Sequence, residues 1–206
     1  MSVKGMTVKL VSLFTALTII CFVHANTVTA DLIPPGYHAV DHTIVFVDSL
    51  DGQAGSYAAL FIPGGHGAML GLPDDQNVAT VLRWAHNNEL FTIRLCHGPG
   101  AFLATTLGSR EFLDCGYEMA VFSYAVDKKT PWVGYLPGQM PSELGAQLEK
   151  LGAKIINSKA DATCCLDRKL ITGASPDAAN ARGKLAAMTL LEHLTTVESG
   201  AAPETA

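Results

Sequence analysis

Charged side chains are scarce in this chain: Asp, Glu, Lys and Arg make up 16% of its 206 residues, against 49% apolar ones. That balance excludes general disorder, because so apolar a chain can bury enough surface to offset the entropy of ordering it. The net charge is −5, and lysine and arginine form no run. A nucleic-acid footprint and an anionic-membrane footprint are therefore both missing. Internal repeats are missing too. The five cysteines, Cys21, Cys96, Cys115, Cys164 and Cys165, show no zinc spacing, and their odd number makes no disulfide framework. Cys164 and Cys165 are adjacent and would close only a strained ring, so they read as reduced or inert. A phosphate loop is excluded, since no glycine-rich turn ends in Lys-Ser/Thr.

What is present reads as one α/β domain between two unlike ends. Residues 1–30 carry Lys4 and Lys9 ahead of the apolar Leu10–Val23, with small residues following. This is the pattern of a secretory signal peptide, too short for a comfortable membrane span. Equally, Val8–Phe14 can be a first sheet strand. Residues 31–197 form the domain, opening on a Pro34-Pro35-Gly36 loop within Asp31–Asp41. Thr43–Val47 reads as a short strand and Asp51–Ser56 as a glycine-bearing loop. Tyr57–Ile62 is continuously apolar, as in a parallel sheet covered on both faces. Pro73-Asp74-Asp75 opens a helix through Asn87, with Val78, Val81, Leu82 and Ala85 as its stripe. Tyr117–Tyr124 reads as a strand, Ser142–Leu151 as a helix closed by Gly152, and Lys154–Ile156 as a strand. Cys164–Leu166 and Lys169–Thr172 suggest a hairpin. Ser175 caps a helix with Pro176 in its first turn, running to about Leu194. Residues 198–206, small and polar, read as a disordered tail. Alternating strands and helices predict a three-layer α/β sandwich with a mainly parallel sheet.

Chemistry points to one stretch. In Phe91–Leu95 apolar and polar residues alternate, as in a short strand, and Cys96 then meets His97-Gly98-Pro99-Gly100 before Ala101–Leu107 opens a helix. A cysteine at a strand-to-helix turn sits near unpaired N–H groups, which favours the nucleophilic thiolate. His97 can supply a base if its ring reaches a carboxylate. Pro63-Gly64-Gly65-His66-Gly67 ends the preceding strand, where ligands gather in open α/β sheets. Adjacent strands would set the Gly64 and Gly65 N–H groups beside the sulfur as an oxyanion hole, and Asp127, after a later strand, could orient His97. His66 lies near enough to contact substrate or simply to turn the chain. His38 and His42, four apart, fall in a Pro/Gly context that reads as a loop rather than a metal pair. Trp84 and Trp132 read as packing residues, and Cys115 as structural.

Several stretches in the same order resemble the ThiJ/PfpI superfamily of the class I glutamine-amidotransferase-like, flavodoxin-like fold, and within it the HchA-type heat-shock chaperones that are also glyoxalase III enzymes. They are Tyr57–Ala68, Leu70–Pro73, Leu95–Pro99, Asp127–Pro131, Gly134–Gly138 and Asp167–Gly173 with Ser175-Pro176. The resemblance covers about Tyr57 to His193. It implies a Cys96 nucleophile, a His97 base and Asp127 as third member, with Gly64, Gly65, His66 and the His97 N–H around the substrate. It implies glutathione-independent conversion of methylglyoxal to D-lactate; no cofactor is expected, and no metal site is read in these residues. Homodimerisation and a cytoplasmic place would follow from the family, a secretory one from a genuine leader. The family's early glutamate has no counterpart, since no Glu precedes Glu89. The first strand and helix, and the subgroup's metal ligands, likewise have none, so this part of the fold is expected to be missing or replaced. Two other functions fit the same residues: a chaperone holding unfolded clients with a vestigial triad, and a cysteine-dependent amidase or peptidase.

Overall fold

Strand β3, Tyr57–Ile62, packs alternate residues into two different cores, as the two-residue period of a strand requires. Leu60 and Ile62 enter one, while Ala59 enters the other with Phe61 packed against it. β4, Phe91–Leu95, repeats the device: Phe91 and Ile93 join the second core, and Thr92 and Arg94 face the first side. A computed structural model of the chain describes residues 8–11, 20–24, 57–109, 111–133 and 138–199. The expected strand at Thr43–Val47 and the loops at Asp31–Asp41 and Asp51–Ser56 lie outside them, as do His38, His42 and residues 200–206.

Among the described residues, the main sheet has six strands in the order β1-β2-β3-β4-β8-β7. Its three central strands, β3, β4 and β8 (Leu170–Gly173), run parallel, with Ala59 opposite Phe91 and Thr92 opposite Leu170. β7, Cys164–Asp167, folds back on β8 as the expected hairpin. On the other side β1 (Val8–Val11) and β2 (Ile20–His24) pair antiparallel with each other, and β2 with β3. These two strands fall in the segment that reads as either a leader or a first strand. A separate parallel pair joins β5 (Glu118–Met119) to β6 (Lys154–Ile155).

Helices cover both faces, giving three layers. One core contains Val78, Ala79, Leu82 and Ala85 of helix α1 (Gln76–Asn87) together with Leu144 and Leu148 of helix α3 (Leu144–Lys150). The other contains Ala186 and Leu190 of helix α4, Ala179–Ser199, against Ala59, Phe91, Ile93 and Ile171. Asp75 caps α1, its carboxylate accepting from the Asn77 and Val78 N–H groups at 2.7 and 3.2 Å. Ser175 starts the last helical segment by accepting from the Asp177 N–H at 3.1 Å. Because α4 runs to Ser199, residues 198 and 199 are helical rather than part of a tail.

Two segments differ from expectation. The stretch after Cys96 is helical as expected, but it starts earlier, at Gly98, and winds as a 3-10 helix through Thr106. Pro99 and two glycines start it, and the Thr105 and Thr106 hydroxyls donate to the carbonyls three residues back at 2.7 and 2.8 Å, favouring the tighter winding. The strand expected over Tyr117–Tyr124 stops at Met119. Side chains replace the ladder there: Thr172 Oγ1 accepts from the Ala120 N–H, and Asn157 bonds both the N–H and the carbonyl of Val121. The chain then turns into a short helix, α2 (Tyr124–Asp127), so Asp127 stands at a helix end.

Candidate active site

The carboxyl ends of β3 and β4 approach so closely that only glycine fits. A Cβ on Gly64 would stand 2.4 Å from the Leu95 carbonyl oxygen and 2.5 Å from Cys96 Cβ. One on Gly98 would stand 2.6 Å from the Ile62 carbonyl oxygen. These two glycines therefore lock the Pro-Gly-Gly turn against the cysteine turn, side by side at the mouth of the sheet. Cys96 adopts a φ of +59°, a left-handed conformation that disfavours a side chain. Its backbone holds that shape from both sides. The Cys96 N–H donates to the Gly173 carbonyl at 2.8 Å, and its own carbonyl accepts from the Phe122 N–H at 3.1 Å.

From this turn a line of contacts runs through three side chains. Cys96 Sγ lies 3.2 Å from His97 Nδ1. His97 Nε2 lies 2.9 and 3.1 Å from the two oxygens of Asp127. The α2 turn holds Asp127 in place, its carbonyl accepting from the Thr130 hydroxyl at 2.7 Å. His97 is fully buried and Asp127 nearly so. Burial alone would lower the proton affinity of His97, but the Asp127 hydrogen bond, then the Cys96 sulfur, outweigh it and raise its pKa from 6.5 to about 9. At neutral pH His97 is an imidazolium between a carboxylate and a sulfur.

His66 completes the group. It begins the 3-10 turn His66–Met69 after Gly65, whose φ is +107°, and its Nε2 lies 3.1 Å from Asp127 Oδ1. Its pKa is lowered, first by burial and then by the charge of His97, despite the pull of Asp127. Phe122 packs on both imidazoles, with ring centroids 4.6 Å from His97 and 5.9 Å from His66. No sequence signal marked Phe122, an aromatic after an apolar strand like many others. His66, His97 and Asp127 place ligand atoms within 4.8 Å of one another, the one such group among the described residues. Each of those atoms here makes a histidine–carboxylate hydrogen bond.

The structure thus brings Cys96, His97, Asp127, Gly64, Gly65 and His66 together. Trp132 departs from its expected packing role: it is 84% exposed, beside Val133 at 76%. Their position just beyond the turn that carries Asp127 puts an apolar pair on the surface. Trp84 does pack against the first core. Cys115 is exposed.

No protein-family model matches the chain. It is 51% identical over 135 residues to the protein/nucleic acid deglycase HchA of Escherichia coli K12 / DH10B, covering 66% of this chain and 47% of that protein. This stretch is therefore HchA-like in sequence. The HchA of E. coli O9:H4 is 50% identical over the same length. The chain spans about half the length of these curated relatives. Among solved structures, the Rapid Encystment Protein 24 kDa of Francisella tularensis superposes with a TM-score of 0.54 at 26% identity, over 66% of this chain and 60% of that one. Glyoxalase III of Candida albicans gives 0.51 at 20% identity, over 68% and 60%, a likeness of fold.

Proposed function

We propose that this chain is a glutathione-independent glyoxalase III, converting methylglyoxal to D-lactate with Cys96 as nucleophile, His97 as proton carrier and Asp127 as its counter-ion. The observation that carries the reading is the unbroken line from Cys96 Sγ through His97 to Asp127 at the carboxyl end of a parallel strand. An imidazolium beside the sulfur pairs with a thiolate, the form that attacks carbonyl carbon.

The thiolate adds to the aldehyde carbon, forming a C–S bond, and the carbonyl electron pair moves to oxygen. That oxygen takes the proton from His97 Nδ1, giving a hemithioacetal and a neutral imidazole. The same nitrogen then removes the former aldehyde hydrogen as a proton and returns it to the neighbouring carbon, while the hydroxyl proton crosses between the two oxygens. The aldehyde carbon is oxidised to a thioester as the ketone is reduced to an alcohol, so no external redox partner is needed. Water attacks the thioester, giving its proton to His97, and the C–S bond breaks with the electron pair returning to sulfur. The Gly64, Gly65 and His97 N–H groups stabilise the oxyanion in this scheme.

A second reading draws on the relatives' name as protein/nucleic acid deglycases: the same thiolate would attack the carbonyl adduct of a glycated amine. The exposed Trp132 and Val133 support a third, the holding of unfolded clients, alone or as the homodimer expected of the family. D-lactate formation from methylglyoxal without glutathione, in the native chain and in Cys96→Ala, tests the proposal. Turnover that disappears in the variant is expected. Equal rates in both, or none in a folded native sample, would overturn it. Suppression of client aggregation that persists in Cys96→Ala would mark the holding function, and hydrolysis of a chromogenic amide, lost in Cys96→Ser, an amidase.

A further inference from the structure

One carboxylate in this site serves two imidazoles. Asp127 Oδ1 lies 3.1 Å from His97 Nε2 and 3.1 Å from His66 Nε2, and the ring centroids of the two histidines are 4.6 Å apart. The residues differ in access to water: the side chains of His97, Asp127 and His66 are 0%, 2% and 17% exposed. Two imidazolium ions this close repel, while a carboxylate this buried is costly without a positive partner. The arrangement favours one positive charge on the pair, and either histidine can carry it.

We propose that His66 and His97 share Asp127 as a common counter-ion, one imidazolium at a time, so that His66 takes up a solvent proton whenever His97 gives its own to the substrate. The inference rests on the glyoxalase III reading for its place in the reaction. In the hemithioacetal and thioester stages of that scheme, His97 has lost its proton and Asp127 would stand uncompensated. Proton uptake by His66 at that moment restores the balance. When hydrolysis returns a proton to His97, His66 releases its own to solvent, so no net proton is consumed. Among the described residues, two titratable groups facing His66 act in this sense: His97, from the turn after β4, lowers its proton affinity, and Asp127, from α2, raises it. Discharge of His97 removes the repulsion and leaves the attraction. The pair titrates as a coupled unit. His66 is thus a positioning residue acting through Asp127.

The test is a histidine NMR titration of the native chain and of His97→Gln, followed at His66. The expected result is about a tenfold rise in the proton affinity of His66 in the variant, the size of effect that marks coupled sites. An unchanged midpoint overturns the proposal. Should His97→Gln fail to fold, the His66→Gln variant is decisive by turnover. Glutamine still donates to Asp127 but cannot charge, so kcat is expected to fall by about a hundredfold, the lower edge of proton-transfer effects, with KM little changed. A kcat equal to the native value, or a loss confined to KM, overturns the proposal. A native chain that shows the coupled titration but no methylglyoxal turnover leaves the shared counter-ion intact and sinks only the glyoxalase reading.

Discussion

His97 carries the strongest single consequence of the site at the residue scale. Its pKa rises from 6.5 to about 9 on folding, because the Asp127 and Cys96 contacts together outweigh burial. The folded protein therefore binds a proton that the unfolded chain releases between those two values. Stability from this proton is fully present below about 6.5 and is lost as pH rises through about 9. Urea unfolding across pH 6 to 10 is expected to show native stability declining on the alkaline side. The decline is expected to flatten in His97→Gln, and a slope shared by both proteins would refute the assignment. The activity profile of kcat/KM is expected to fall on the same alkaline side, since the proton-carrying imidazolium is then gone.

At the scale of elements, the most exacting contact lies one residue before Leu95, on the strand that delivers Cys96. Arg94 is 1% exposed, pairs with both oxygens of Asp114, reaches Thr92 Oγ1 at 3.1 Å and lies over the Phe102 ring at 3.1 Å to its centroid. The pair ties β4 to the turn after the Gly98–Thr106 helix, so it braces the segment on either side of the nucleophile. Asp114→Ala would leave a guanidinium buried without its counter-ion, at a cost of about 3–5 kcal/mol. Chemical denaturation of that variant is the check, and a loss below about 1 kcal/mol would show that Arg94 finds other partners. Neither residue stood out in the sequence. An arginine in an alternating strand reads as a solvent-facing position, and only the helix laid over that face makes it interior.

The two cores on opposite faces of the sheet define the behaviour of the whole molecule. Leu82 of α1 and Ile171 of β8 are both fully buried, one in each core. Replacing either by alanine is expected to cost about 2–5 kcal/mol. The sheet separates the sites, so the double variant should lose the sum to within about 0.5 kcal/mol. A shortfall larger than that in urea titrations would mean that the two cores are coupled through the sheet.

Which parts of this were readable before folding follows from the range of the forces involved. Alternation along Phe91–Leu95, the apolar run of Tyr57–Ile62 and the caps at Asp75 and Ser175 are local, and each places its element correctly. Gly64 and Gly98 announced a tight turn by composition, and the reason for them, carbonyl oxygens about 2.5 Å from any added Cβ, is a contact between strands. The early end of β5 and the helical turn at Asp127 depend on Asn157 and Thr172, residues distant in the chain whose side chains take over the backbone bonds. Local periodicity carries no information about such partners. The sequence by itself determined the three-layer class, the strand ends and the residue types that meet there. Tertiary structure alone decided that His66 joins His97 on one carboxylate, that Phe122 covers both rings and that Trp132 faces solvent. Those outcomes depend on which strand ends become neighbours, and that is settled only when the sheet closes its register and both faces are covered.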